Sequence, residues 1–212
     1  GYDLRVLDEQ GKEVGTGETG TLAIKLPLPP SSLPTLWNAT ERFRSSYLKD
    51  LPGYYTTADA GFKDADGYAY VMARTDDVIN VAGHRLSTGQ MEEVVATHKD
   101  VAECAVIGVA DDMKGQLPAG FIVLSAGVNR DHKEIEGEVV KLVREVIGPV
   151  AAFKNVMVVP RLPKTRSGKI LRGTMRAIAD GAEWKMPATI DDPAILEEIT
   201  EVLEERGMVR KA

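Results

Sequence analysis

Through the first third of the chain, apolar positions recur with a period close to two. In DLRVLDEQGKEV (residues 3–14) and GTLAIKL (20–26) that spacing predicts half-buried antiparallel strands, the first returning on itself through a Gln10-Gly11 turn. PLPPSSLP (27–34) holds too much proline for a helix or a central strand, and ATERFRSSYLKD (39–50) then predicts a short helix with Asn38 as its candidate cap. YYTTADAGFKDADGYAYVMAR (54–74) reads as two strands joined at an Asp66-Gly67 turn.

Beyond residue 75 the pattern changes to strands alternating with helices. Ser87 and Gln90 form an S-x-x-Q capping box that opens a helix running toward Thr97, and VAECAVIGVA (101–110) and PAGFIVLSA (118–126) are apolar strands. After Asp131, the positions Ile135, Val139, Leu142, Val143 and Val146 share one helical face, which Gly148-Pro149 ends. A strand at VMVVP (156–160), a basic loop, and a helix from near Thr174 follow, and Asp192-Pro193 is expected to cap the charged helix ILEEITEVLEER (195–206). The fold class is therefore α+β, in three segments: β-rich 1–75, a compact α+β unit over 76–190, and a helical tail over 191–212.

Charge and composition narrow the function. The 212 residues suffice for one or two domains. Acidic side chains number 32 against 26 basic ones, a net charge of -6, so a general nucleic-acid or anionic-membrane binder is disfavoured and any anion site must be a local basic pocket. The single cysteine, Cys104, excludes an internal disulfide framework and a cysteine-based metal site. Within an apolar strand it is expected to be a buried, inert thiol, which suits a reducing compartment. The sequence has no run of about 18 apolar residues. Its opening, GYDLRVLD, reads as a strand from inside a domain, so the chain is expected to be a piece of a longer protein.

LPKTRSGKILRG (162–173) supplies the local positive charge. Lys164, Arg166 and Lys169 surround Ser167-Gly168, which cannot hold a regular element, so the loop is expected to be exposed and flexible with Lys169 reaching an anion. It is not a Walker loop, because G-x-x-x-x-G-K-[ST] requires glycine where Pro163 stands and a hydroxyl where Ile170 stands. A nucleic-acid module would interleave aromatic residues with the basic ones, and 161–176 contains none. Asp59, expected at a strand end, suits either a turn-capping acid or a ligand. Together with Arg74, Arg85 and Lys169 it completes the set a nucleotide monophosphate needs: a carboxylate for a diol and cations for a phosphate.

Four ordered stretches carry a resemblance. YYTTAD resembles the motif Y-x-T-G-D, RTDDVINVAGHR the motif R-x-D-D-x-x-x-x-x-G-x-R, VREVIGP the segment V-R-x-x-I-G-P, and PKTRSGK the motif P-K-T-x-S-G-K of acyl-CoA synthetases in the adenylate-forming superfamily. Within it the chain is most similar to the short-chain acetyl- and propionyl-CoA synthetases, its tail TIDDPAILEEITEVLEE to the propionyl enzymes. It departs from the pattern at Ala58, where glycine is usual, and at Ala82, where acetyl-CoA synthetases often carry serine.

The resemblance implies the β-rich end of a large amino-terminal adenylating domain, followed by a small mobile carboxy-terminal domain. The activity it implies joins a short-chain carboxylic acid to the α-phosphate of ATP, with Mg2+, and passes the acyl group from AMP to CoA. Asp59 and Arg74 would hold the ribose, Arg85 the phosphate side, and Lys169 would bridge carboxylate and α-phosphate as the catalytic residue. Ala82 and Gly83 would line the pantetheine path, Arg144 would meet the 3'-phosphate of CoA, and Asp76 would be the hinge. Backbone carbonyls of Ala96, His98 and Val101 would hold a cation. A lysine acetyltransferase and deacetylase acting on Lys169 are implied partners, as is the rest of the amino-terminal domain, without which the chain is expected to be inactive. The implied location is the cytoplasm or an organelle matrix. The alternatives are another adenylate-forming ligase, such as a medium-chain acyl-CoA synthetase, and a non-catalytic anion-binding module.

Overall fold

Two compact units, divided between Asp76 and Asp77, make up the chain. The computed structural model describes residues 1–210, Asp76 by its backbone alone. The architecture is mixed α+β with two sheets.

In the first unit β1 (Leu4–Leu7), β2 (Gly20–Lys25), β3 (Tyr54–Lys63) and β4 (Ala69–Arg74) form an antiparallel sheet in chain order, with α1 (Thr40–Tyr47) between β2 and β3. Leu7, Ala23 and Leu51 are its buried cluster, with Tyr54 against it. The expected return strand after Gln10-Gly11 is reduced to a single bridge, Leu7 to Glu13. Asn38 is not the helix cap: its φ is 49°, and Ala39 occupies the cap position without a side-chain hydrogen bond. A capping Asn needs an extended backbone to present its oxygen to the first turn, which a left-handed residue one position early cannot do.

The second unit folds around five strands. In chain order it contains β5 (Val78–Val81), β6 (His84–Ser87), α2 (Thr88–Val95), β7 (Val101–Asp111), β8 (Gly115–Leu124), α3 (His132–Val146), β9 (Asn155–Val158), α4 (Arg172–Ala179) and α5 (Ile195–Glu205). The sheet runs β6-β5-β8-β7, with β9 parallel to β8. β7 and β8 read as continuous apolar runs because both faces are covered. Ala105, Ile107 and Val109 pack with Met175, Ile178, Leu196 and Ile199 of α4 and α5, while Val106 and Ile122 pack with Met91, Ile135, Val139 and Val143 of α2 and α3. The helical tail thus contributes to the core of this unit; its last two residues, 211–212, lie outside the described residues.

The cap expected at α2 is present, α3 has a side-chain cap of its own, and α5, like α1, departs from the expectation. Ser87 accepts from Gln90 N at 3.3 Å, and Asp131 accepts from Lys133 N at 2.7 Å. At α5 the cap is Ala194, and the Asp192 carboxylate accepts its N–H at 3.0 Å instead of capping the helix. Val146, expected on the apolar face of α3, is 63% exposed. It lies within the arc of the buried row, and its exposure follows from its place as the last residue of α3.

Ala58 stands at φ 61°, in the left-handed region where a side chain is strained and glycine is not. Ala58→Gly should raise the unfolding free energy by about 0.5 kcal/mol, the strain relieved exceeding the added chain entropy. A urea midpoint that falls would show that the position is unstrained.

Candidate functional site

Asp59 lies within β3 rather than at a strand end, and a bulge puts it there. Leu22 pairs with Asp59 but Ala23 pairs with Thr56, leaving Thr57 and Ala58 extra on β3. The Thr57 hydroxyl repairs the interrupted ladder, donating to Leu22 O at 2.8 Å and accepting from Asp59 N at 3.2 Å. Strand β4 then sets Arg74 directly across from Asp59, with 3.7 Å between guanidinium and carboxylate. Both side chains keep solvent access, at 52% for Arg74 and 33% for Asp59. The bulge could have been sought in the sequence at TTAD, where a hydroxyl and a small residue precede the acid.

Asp76 lies in a 3-10 turn, Thr75–Asp77, on the chain between the units. Across the β5–β6 hairpin, Val81 pairs with His84, so Ala82-Gly83 is a two-residue turn with φ values of 50° and 89°. Positive φ at both positions is a type I′ turn, and it accounts for glycine at 83 without any ligand. A Cβ there would meet nothing within 4 Å. The turn is braced: Asn80 Oδ1 accepts from Gly83 N at 3.0 Å, Ala82 N donates to Lys114 O at 2.8 Å, and Gln116 Oε1 accepts from Asn80 N at 3.0 Å. Arg85 follows on β6, exposed and across from Asn80.

Arg144, in the last turn of α3, borders a cavity of about 270 Å³ that Lys114 and Lys154 also line. No acid lines it. These lysines were not identified from the sequence, because β7–β8 and the segment before β9 meet α3 only in the fold.

The Lys169 loop is exposed as expected but is not a loose segment. Thr165 N donates to Lys169 O at 2.8 Å, Gly168 N to Thr165 O at 2.8 Å, and Leu171 N closes the base on Pro163 O at 2.9 Å. Thr165 Oγ1 accepts from Lys169 N at 3.0 Å. Gly168, at φ 84°, makes the reversal possible. Arg166 N donates to Thr189 O and Asp191 N to Lys164 O, both at 2.9 Å, so the hairpin is laced along its side. The expectation of flexibility came from polarity and glycine content, whereas backbone polar groups here satisfy one another.

Ala96 caps the carboxy end of α2, and the His98 carbonyl accepts from Val101 N at 3.0 Å. The His98 imidazole, 9% exposed, faces elsewhere: Nε2 lies 3.0 Å from Glu138 Oε2, and Nδ1 accepts from Asp100 N at 3.3 Å. His98, Asp100 and Glu138 bring potential metal-binding atoms within 4.8 Å of one another. Arg130 already supplies the positive charge, bonding Asp100 at 2.6 Å and Glu138 at 2.7 Å.

A family model described as AMP-binding enzyme C-terminal domain matches residues 90–169. The chain is 54% identical over 212 residues to an uncharacterized protein of Pseudomonas aeruginosa, covering 33% of it. It is 48% identical over 205 residues to mouse acyl-CoA synthetase short-chain family member 3, mitochondrial, with 97% of this chain and 30% of that protein covered. To the propionate–CoA ligase of Escherichia coli it is 42% identical, covering 97% of this chain and 34% of the ligase. The chain thus spans about a third of the length of the curated relatives it matches. The acetoacetyl-CoA synthetase of Streptomyces lividans shares its fold, at TM-score 0.81 and 24% identity over 97% of this chain and 31% of that one. The anthranilate CoA ligase AuaEII, solved with anthranoyl-AMP, gives TM-score 0.67 and 29% identity over 84% and 32%.

The Glu138 carboxyl is held at about 2, against an ordinary 4.5, chiefly by hydrogen bonding to Arg130 and then to His98. A value lower in the folded state stabilises the fold above the unfolded value and is lost as pH falls through the folded one. The urea midpoint should therefore drop between pH 4.5 and 2, and Glu138→Gln should flatten that drop. An unchanged acid limb in the variant would remove Glu138 from the network.

Proposed function

The chain belongs to the short-chain acyl-CoA synthetases of the AMP-binding enzymes, and we propose that it is the carboxy-terminal part of one that converts propionate or acetate, ATP and CoA to acyl-CoA, AMP and pyrophosphate. The observation that carries this reading is the identity, across nearly the whole chain, to relatives named for short-chain acyl-CoA and propionate–CoA ligation.

Each residue then has a task fitted to its chemistry. The Asp59 carboxylate accepts from the two vicinal ribose hydroxyls, and Arg74, opposite on β4, donates to the same sugar. Arg85 holds the phosphate side. The Lys169 ammonium bridges the acid and the α-phosphate, neutralising charge as the carboxylate oxygen attacks phosphorus and pyrophosphate leaves with its electron pair. In the second half-reaction the CoA sulfur attacks the acyl carbon and AMP departs. Ala82 and Gly83 flank the pantetheine chain, and the cavity at Arg144, Lys114 and Lys154 takes the 3'-phosphate. Asp76 is the hinge between half-reactions, and because the Lys169 hairpin is braced, rotation of the second unit as a body is what brings the lysine in and removes it.

Mg2+ accompanies the ATP phosphates, whose binding loop belongs to the remainder of the amino-terminal domain. That remainder also covers the exposed Val71 and Met72 of β4. The carbonyls of Ala96, His98 and Val101 would hold a structural cation, that of His98 while also accepting the Val101 N–H, and acetylation of the exposed Lys169 amine switches adenylation off by removing its charge. Among the described residues no helix is long and apolar enough to cross a membrane; the proposed location, the cytoplasm or an organelle matrix, follows the relatives, which include mitochondrial proteins.

Lys169→Ala in the full-length enzyme should lower pyrophosphate release from acid and ATP by about 10²–10³-fold. Thioester formation from supplied acyl-AMP and CoA should continue near the wild-type rate. Equal loss of both half-reactions would contradict the role given to Lys169.

A further inference from the structure

Because the hairpin carrying Lys169 is internally braced, the position of the ammonium is decided where it attaches to the rest of the unit: along its side, to residues 189–191, and at its two stems. On the entering stem, Lys164 Nζ meets both oxygens of Glu103 at 2.6 Å, but these side chains are 32% and 45% exposed. Such a solvated pair constrains little. The leaving stem is different. Arg172, the first residue of α4 and three positions past Lys169, sends Nε to Glu92 Oε1 at 2.8 Å and Nη2 to Glu92 Oε2 at 2.7 Å. The two side chains are only 27% and 16% exposed. Two parallel bonds between planar groups fix orientation as well as distance.

Glu92 is itself immobilised. It sits on α2, and its Oε1 also accepts the N–H of Val106 on β7 at 2.7 Å. One carboxylate therefore joins a helix, the central strand pair and the stem of the hairpin. The neighbouring Cys104 thiol, pushed up to about 11 by burial and then by the Glu92 charge, stays neutral and adds no anion to compete for Arg172.

We propose that Glu92 and Arg172 are a positioning pair for Lys169: neither touches substrate, and together they hold the catalytic hairpin at the height and angle adenylation needs. The proposal rests on the role given to Lys169 above. It makes a selective claim, because a pair needed only for folding would affect both half-reactions alike.

Glu92→Gln conserves volume and the bond from Val106 but sets an amide N–H₂ group against the guanidinium, so the fork cannot form. In full-length enzyme it should lower the maximal rate of pyrophosphate release by about 10²-fold, the scale of a displacement near 1 Å, with KM for the acid and ATP within about twofold of wild type. Thioester formation from supplied acyl-AMP should stay within about twofold, and the Lys169 and Leu171 amides should exchange with deuterium about tenfold faster while those of α3 do not change. Arg172→Lys, which keeps the charge and loses the fork, should show the same selectivity if Glu92→Gln does not fold. Glu103→Gln, on the solvated stem, should match wild type in both half-reactions. Equal loss of both half-reactions, or unaltered pyrophosphate release with unaltered exchange, overturns the proposal. Lys169→Ala measured alongside separates the two ideas: if it fails to split the half-reactions, the role of Lys169 is wrong, and exchange at Lys169 and Leu171 alone decides whether the pair positions the hairpin.

Discussion

Burial of both faces of the β7–β8 pair is the constraint on which the second unit depends. Alternate residues of one strand enter opposite cores, Ala105, Ile107 and Val109 on one side and Val106 on the other, so neither helical layer can form without the sheet. At roughly 25 cal/mol per Å² of apolar surface, this two-sided burial outweighs any single polar contact in the unit. The connection from β9 to α4 has to pass from the sheet to the α4/α5 layer, and the Lys169 hairpin is part of that passage. Its exposure at an edge of a dry core is a consequence of the layering.

Carboxylates join the layers where apolar packing cannot. Glu92 on α2 accepts Val106 N and pairs with Arg172; Glu136 on α3 accepts Val158 N and pairs with Arg206; Asp180, which caps the end of α4, accepts Ala110 N and pairs with Arg176. In each case a strand N–H that the ladder leaves over is satisfied by an acid, and an arginine neutralises that acid. A partly buried pair of this kind adds little net stability, but it fixes which helix meets which strand.

Elements with a strong period were legible in the sequence. β7, β8 and α3 were found because their apolar runs are long, and Ser87 because a cap declares itself by residue type and spacing. Asn38 and Asp192 misled for the same reason: the residue type was right, but the backbone angle that makes a cap is set by surrounding structure. Asp59 was recognised by motif and misplaced by geometry, since a β-bulge has no residue pattern of its own beyond a small residue and a hydroxyl. The stiffness of the Lys169 hairpin was hidden because its lateral bonds come from residues 189–191, which are distant in sequence. Lys114 and Lys154 escaped notice on the same ground.

The central claim is that this chain supplies the lysine and ribose-binding pair to a nucleotide whose triphosphate and acid are held by the rest of a longer enzyme. Pyrophosphate release tests it most directly, comparing the 212-residue chain with the full-length protein, each given ATP, CoA and a series of short and medium carboxylic acids. The full-length protein should release pyrophosphate with propionate or acetate among its best acids, and the chain alone should release none above background. Turnover by the isolated chain would contradict the division of the site, and a full-length protein inert toward every acid would contradict the activity.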